Sequence, residues 1–177
     1  SERICNWTQA TYLLQDVAEF REFFGRWLGP QLALHGEFLA GHLETGLMHN
    51  HLVNDARALF LYGGCFPDLP DAPRLRELGW KLLTQEMLRQ TLPDGVFGEQ
   101  STHYHLLLTR TFAECVLLAR ANGLSVPGEL TTLLEKMFAA MADMIRPDGS
   151  IPYLGDICPD IESRYLVGLL AVGAVLF

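Results

Sequence analysis

The sequence predicts an all-α fold, an incomplete (α/α) toroid of about seven helices arranged as antiparallel hairpins. Apolar residues recur at helical spacing along the chain, and no segment alternates convincingly between apolar and polar residues. Clusters of Gly, Pro, Asp and Asn separate the periodic segments. Pro-Asp-Gly occurs twice, at residues 93–95 and 147–149, which indicates hairpins of similar design. A curl of such hairpins fits this pattern better than a four-helix bundle.

The first half of the chain is expected to hold two short helices and one long one. Pro30 lies inside the long segment and predicts a break or kink near Gly29. Asn50 can cap the third helix, and Gly63-Gly64 predicts its end. In order along the whole chain, the predicted helices span about Ile4–Leu14, Val17–Leu43, His51–Tyr62, Leu75–Thr91, Leu106–Ala119, Glu129–Ile145 and Tyr165–Phe177.

Composition bounds the class of protein. With 177 residues, 49% of them apolar, the chain is long enough for one domain with a substantial core. The net charge of −8 argues against nucleic acid as a partner, since such a surface repels phosphates. The apolar tail, residues 165–177, is short for a membrane span, so no span is expected.

Metal and cofactor sites are not expected. The four cysteines form no Cys-x-x-Cys pair, so a cysteine zinc site is disfavoured. His-x-His occurs at His49/His51 and at His103/His105, but imidazoles two positions apart on a helix point to different sides. No His-Glu-x-x-His helix is present.

Three polar clusters interrupt the apolar chain, at residues 49–51, 99–105 and 148–156. In a toroid of hairpins, loops at the same end of successive inner helices converge, so all three are expected to line one cleft. The middle cluster allows two interpretations. It is either a solvated loop whose Ser101 caps the following helix, or the position of a catalytic tyrosine, Tyr104, with its histidine neighbours.

The order of several short motifs resembles the helical N-terminal domain of the heparinase II/III-type polysaccharide lyases. The motifs run from Arg-Ile-x-Asn-Trp near the start to Pro-Asp-Gly and Gly-Asp near the end, and so cover nearly the whole chain. The most specific are Asn-His-Leu at residues 50–52 and Glu-x-Ser-x-x-Tyr-His at residues 99–105. The resemblance implies β-elimination at a uronic acid, in which the C5 proton is removed and the oxygen on C4 leaves.

That chemistry needs a group to neutralise the carboxylate, a base for the C5 proton and an acid for the leaving oxygen. By resemblance, Tyr104 transfers the protons, while Asn50 and His51 contact the carboxylate. Residues expected to bind substrate or to line the groove are His105, Glu99, His103, Asp156 and His49. The family's further catalytic histidine has no evident match here.

The resemblance also implies partners beyond residues 1–177. Family members carry a β-sandwich domain after the helical domain, so this single helical domain is expected to pack on one in a longer chain and to be inactive alone. The expected partner is an anionic polysaccharide, and the acidic balance favours a polymer bearing only carboxylates over a densely sulfated one. A periplasmic or secreted location is expected.

Two other functions remain open from the residues. An α/α-toroid glycoside hydrolase would need opposed carboxylates, for which Glu99 and Asp156 are the attractive pair; it is favoured if they lie about 5–10 Å apart with Tyr104 buried away. A non-catalytic carbohydrate-binding or scaffold module would need exposed aromatic platforms. Trp7, Trp27 and Trp80 all fall on helical stripes, which disfavours that reading.

Overall fold

The computed structural model describes residues 1–46, 50–158 and 163–177. Its helices are α1 (Glu2–Leu14), α2 (Ala18–Phe23), a π-helical turn (Phe24–Leu28), α3 (Gly29–Gly41), α4 (Asn50–Cys65), α5 (Ala72–Gln90), α6 (Thr102–Ala121), α7 (Gly128–Met144) and α8 (Ser163–Leu176). Because α2, the π turn and α3 are continuous, the described residues form seven helical runs. Across the described residues the only β pairing is one isolated bridge, Thr91 with Phe97. The all-α prediction is confirmed, helix count included.

The helix around Pro30 changes register where a break or kink was predicted. The backbone N–H of Gly29 donates to the carbonyl of Phe24, five residues back, so the preceding turn is π-helical. Pro30, which has no N–H, then enters in the first turn of α3, where a proline is tolerated. Trp27 lies in this turn, is 48% exposed and stacks on Phe23 at 5.3 Å between ring centroids. Its position on a helical stripe did not indicate an exposed aromatic ring, so the structure differs from the sequence pattern at Trp27.

The chain divides into two compact units, and the first is Ser1–Leu83. Its centre is α4, whose residues from Leu52 to Gly63 are almost all buried. Helices α1 and α3 both pack on α4. This packing gives the first unit its own core.

Gly63 does not end α4, which continues to Cys65. A Cβ atom at Gly63 would lie 2.2 Å from the carbonyl oxygen of Ala72 and 2.6 Å from the Cβ of Arg76. The glycine is therefore required by the close approach of α5, and the prediction that it terminates the helix is wrong.

The second unit, Thr84–Phe177, is built around α6. Helix α7 packs on α6, and α8 packs on both. The inner face of α6 is apolar, with Leu108, Phe112 and Val116 buried. This unit holds two of the three polar clusters found in the sequence, residues 99–105, which lead into α6, and residues 148–156, which follow α7.

The two Pro-Asp-Gly segments form the same turn. In each, the glycine has a positive φ, 91° at Gly95 and 81° at Gly149, which favours glycine. In each, the aspartate Oδ1 accepts the N–H two residues on, at 3.0 Å in the first turn and 2.9 Å in the second. The residues before proline and after glycine also pair identically, Leu92 N to Val96 O and Arg146 N to Ser150 O, both at 2.8 Å. The repeated motif thus encodes a repeated local structure.

No helix in the described ranges combines the length and the apolar character that a membrane crossing requires.

Candidate active site

The start of α6 is fixed by its own cap and by a distant loop. Ser101 is the N-cap, as the sequence predicted, and its Oγ accepts the N–H of Tyr104 at 3.2 Å. The same hydroxyl donates to the backbone carbonyl of Asp156. Next to it, Thr102 Oγ1 donates to the carbonyl of Pro152 at 2.8 Å, and Thr102 N–H donates to Leu154 O at 3.1 Å. The segment after α7 is therefore laid across the first turn of α6.

Tyr104 lies in that first turn, half-buried, and its hydroxyl reaches the loop. The hydroxyl donates to Asp156 Oδ2 at 3.3 Å, and the Asp156 residue is exposed. The phenol is therefore not buried in the core, and its hydroxyl has a polar neighbour. Burial of Tyr104 was one of the two conditions that favoured a glycoside hydrolase, and that condition is not met.

His105 is fully buried, with 0% exposure. Its Nδ1 accepts the N–H of Phe97 at 3.2 Å, so Nε2 carries the proton and donates to the carbonyl of Met137 at 3.0 Å. Burial lowers the pKa of the imidazole, against smaller raising effects of the Met137 hydrogen bond and the Asp94 charge. In this arrangement the ring ties the 97–101 loop to α7, and both nitrogens are used. The structure therefore gives His105 an internal structural role in place of the predicted substrate contact.

His103 lies beside Tyr104, half-buried, with the two rings edge to face at 5.5 Å between centroids. Its Nδ1 is buried and has no hydrogen-bond partner among the residues that the structure describes. A buried ring nitrogen without a hydrogen-bond partner is costly, and such atoms are uncommon in folded proteins. The structure thus brings His103, Tyr104 and Asp156 together.

The other predicted residues of the middle cluster and of the helix α4 start are placed as follows. Glu99 is half-buried in the loop before α6. Asn50 is the first residue of α4 and half-buried, and its Oδ1 accepts from Asn54 Nδ2 at 3.4 Å. His51 is exposed, and its Nδ1 lies 2.8 Å from Glu44 Oε2. His49 lies outside the described residues.

Glu44 is a residue that the sequence reasoning missed. By binding Nδ1 of His51, its carboxylate fixes the ring and directs Nε2 to the opposite side. The backbone N–H of Glu44 in turn donates to the buried carboxylate of Asp55 at 3.0 Å. Burial raises the pKa of Asp55, although this hydrogen bond lowers it. Glu44 lies in the loop before α4, where only the fold reveals its partner.

Over residues 1–46, 50–158 and 163–177, no group of three or more His, Cys, Asp or Glu side chains is placed to hold a metal ion. Of the four cysteine side chains, Cys5 and Cys115 are buried, whereas Cys65 and Cys158 are exposed.

Comparison with known proteins gives one consistent family. The family described as heparinase II/III N-terminus matches residues 1–167. A heparin-sulfate lyase of Bacteroides thetaiotaomicron is 32% identical over 130 residues, 70% of this chain and 18% of that protein. One from Pedobacter heparinus is 29% identical over 123 residues, 68% of this chain and 18% of that protein. The chain thus spans less than a fifth of the length of these relatives.

Solved structures agree on the fold. A crystal structure of heparinase III matches 98% of this chain and 27% of its own, with a TM-score of 0.80 and 24% identity. A heparan sulfate lyase mutant from Pedobacter heparinus matches 85% of this chain and 24% of its own, with a TM-score of 0.69 and 24% identity. At this identity the likeness speaks for the fold alone, and it confirms the predicted fold class.

Proposed function

The chain belongs to the heparinase II/III family, and from this we propose that it is the helical part of a polysaccharide lyase that cleaves a uronic-acid-containing polymer by β-elimination. The observation that carries the proposal is Tyr104, held at the first turn of α6 with its hydroxyl outside the core and bonded to Asp156. A phenol in that position can transfer a proton to or from a bound sugar.

The proposed roles follow from side-chain chemistry. Tyr104 protonates the leaving oxygen and is a candidate for removal of the C5 proton. Asn50 supplies an amide donor and His51 an imidazole donor to the uronate carboxylate, where negative charge develops in the transition state. Glu44, bound to the Nδ1 side of His51, orients that ring. Glu99 and His103 remain proposed groove residues, as does His49.

The substrate follows from two considerations that point in different directions. The relatives are named heparin-sulfate lyases, which makes heparan-type polymers the first substrates to test. The net charge of −8 favours a polymer with carboxylates and few sulfates. A panel containing both classes, with alginate-like polyuronates as the second, decides between them. A periplasmic or secreted location and a β-sandwich partner domain are part of the same proposal.

The test uses the complete polypeptide that contains this chain. Elimination creates an unsaturated uronate, so ultraviolet absorbance reports it directly. We expect Tyr104→Phe to lower kcat by about 10²–10⁴-fold, the range typical of an acid–base group. Tyr12→Phe, a change at an exposed tyrosine of α1, is the matched control and should leave the rate unchanged.

Two outcomes contradict the proposal at different levels. Full elimination by Tyr104→Phe would remove Tyr104 from the mechanism and leave the lyase. New reducing ends without unsaturated product would mean hydrolysis and return attention to Glu99 and Asp156.

A further inference from the structure

Asp156 forms two separate hydrogen bonds with the start of α6, one through its backbone and one through its side chain. The backbone carbonyl accepts from Ser101 Oγ, and the side-chain Oδ2 accepts from the Tyr104 hydroxyl at 3.3 Å. Ser101 and Tyr104 are themselves joined by the capping hydrogen bond. The three residues therefore close a small cycle of hydrogen bonds at one helix end.

The backbone attachment places Asp156 independently of its side chain. The preceding residue, Gly155, has a φ of +70°, and a Cβ there would lie 3.0 Å from both Gln100 O and Ser101 Cα. The loop is therefore packed directly on the chain entering α6. Because these contacts involve the main chain, a substitution of the Asp156 side chain leaves them in place.

A tyrosine hydroxyl rotates about its C–O bond, and an acceptor fixes the direction of its hydrogen. At 3.3 Å the bond to Asp156 is longer than the usual 2.5–3.0 Å of an O–H···O hydrogen bond. Catalytic hydrogen bonds are often long without substrate and shorten in the complex. Asp156 is exposed, so its charge remains solvated and the carboxylate costs little to keep there.

From this geometry we infer that Asp156 is a positioning residue for Tyr104: its carboxylate holds the phenolic oxygen in place and keeps a lone pair free for a bound sugar, and the phenol proton turns from Asp156 to the leaving oxygen in the step where Tyr104 acts as the acid. The inference rests on the proposed role of Tyr104. The sequence predicted that Asp156 contacts the substrate directly. In its place, the inference has Asp156 act through Tyr104. The position of Asp156, 52 residues after Tyr104, makes the orientation of the phenol depend on the loop after α7.

The kinetic test compares three variants of the complete polypeptide on a substrate that the wild type eliminates. Asp156→Ala removes the acceptor and should lower kcat about tenfold, the lower end for a hydrogen bond to a charged group, with KM changed less than about twofold. Asp156→Asn keeps a carbonyl acceptor and should recover most of that loss. Asp148→Ala is the control, because Asp148 is an exposed carboxylate between α7 and Asp156 whose Oδ1 bonds Ser150.

A second readout does not depend on turnover. In protein labelled with ¹³C-tyrosine, the Tyr104 Cζ resonance, assigned by its loss in Tyr104→Phe, reports the environment of the hydroxyl. Asp156→Ala should move this resonance, and Asp148→Ala should not. Three results would each overturn the inference. The first is a Tyr104 resonance that does not move in Asp156→Ala, and the second is an equal loss of kcat in Asp156→Ala and Asp148→Ala. The third is a loss of activity in Asp156→Ala that appears in KM and is not recovered in Asp156→Asn.

The failure of the inference is distinguishable from that of the proposed function. If Tyr104→Phe is inactive and Asp156→Ala is as fast as wild type, only the positioning role is wrong. If Tyr104→Phe remains active, the role of Tyr104 fails, and the positioning role fails with it.

Discussion

Replacing His105 with glutamine should remove a pH dependence of stability that the buried imidazole imposes. Burial lowers the pKa of His105 below its ordinary value of 6.5, while hydrogen bonding to Met137 and the charge of Asp94 act in the opposite direction. The folded protein therefore holds the ring neutral at a pH where the unfolded chain has begun to bind a proton. As the pH falls through about 6.5, the unfolded state gains protons that the folded state does not, and the unfolding free energy decreases.

The magnitude follows from this difference in proton binding. The ordinary pKa of 6.5 in the unfolded chain sets an upper bound: the stability lost by His105 between about pH 7.5 and 5.5 is at most about 1.4 kcal/mol, since one pKa unit corresponds to 1.36 kcal/mol. The His105 contribution is fully present above this window. Glutamine does not titrate, yet its amide offers one donor and one acceptor to replace the bonds to Met137 and Phe97. We therefore expect it to fold, at a cost of about 1–2 kcal/mol at neutral pH.

Denaturant unfolding followed by circular dichroism, at several pH values from about 7.5 to 5.5, measures the effect in both proteins. The comparison must be between variant and wild type, because Asp55 titrates in the opposite sense. Burial raises the pKa of Asp55 above 3.8, so its protonation favours the folded state as the pH falls. Parallel pH profiles for wild type and His105→Gln would show that the imidazole is not shielded from protonation, and would refute the reasoning.

Two further predictions concern local structure. Gly95→Ala and Gly149→Ala impose the same positive-φ strain on the same turn, but only at Gly95 would the new Cβ lie 2.4 Å from Lys136 O, whereas Gly149 faces open space. Thermal unfolding should therefore rank Gly95→Ala as the more damaging by at least about 1 kcal/mol, and equal losses would contradict the packing argument. Tyr62→Phe removes the hydroxyl that donates to Pro70 O at 2.7 Å in a fully buried side chain, whose pKa burial raises to about 12. It should cost about 1–3 kcal/mol in denaturant unfolding at neutral pH, because the carbonyl loses its partner, and a stability equal to that of wild type would mean that water replaces the bond.

The helices were predictable because their signals are local. Apolar spacing and the Ser101 cap identified α6, and the start and end of most helices fall within a few residues of their predicted positions. Gly63 and Pro30 each have a structural use beyond the one that their local signal indicated. A glycine also allows two helices to approach closely, and a proline also fits the first turn of a helix after a π turn.

The site was predictable only in part. The motifs indicated which residue types take part, but they did not indicate which side chains contact each other. Tyr104 was singled out by its motif, and its half-buried position agrees with a polar role. His105 carries the same motif, but its direction into the core is set by α7, through a carbonyl 32 residues away. The pairing of Tyr104 with Asp156 and of His51 with Glu44 likewise depends on loops whose course the sequence pattern does not encode. The roles of Tyr104, Asn50 and His51 stay predictions.

The repeated Pro-Asp-Gly turn has a consequence for the order in which this region folds. Each turn is closed by hydrogen bonds spanning four residues or fewer, so either can form while the rest of the chain is still unfolded. The contact between Ser101 and Asp156 instead closes a separation of 55 residues, and loop closure becomes slower and entropically more costly with length. We therefore expect the two turns to form early in refolding and the junction between Ser101 and Asp156 to form late. On that expectation, a refolding chain regains its local turns before it regains the surroundings of the Tyr104 hydroxyl.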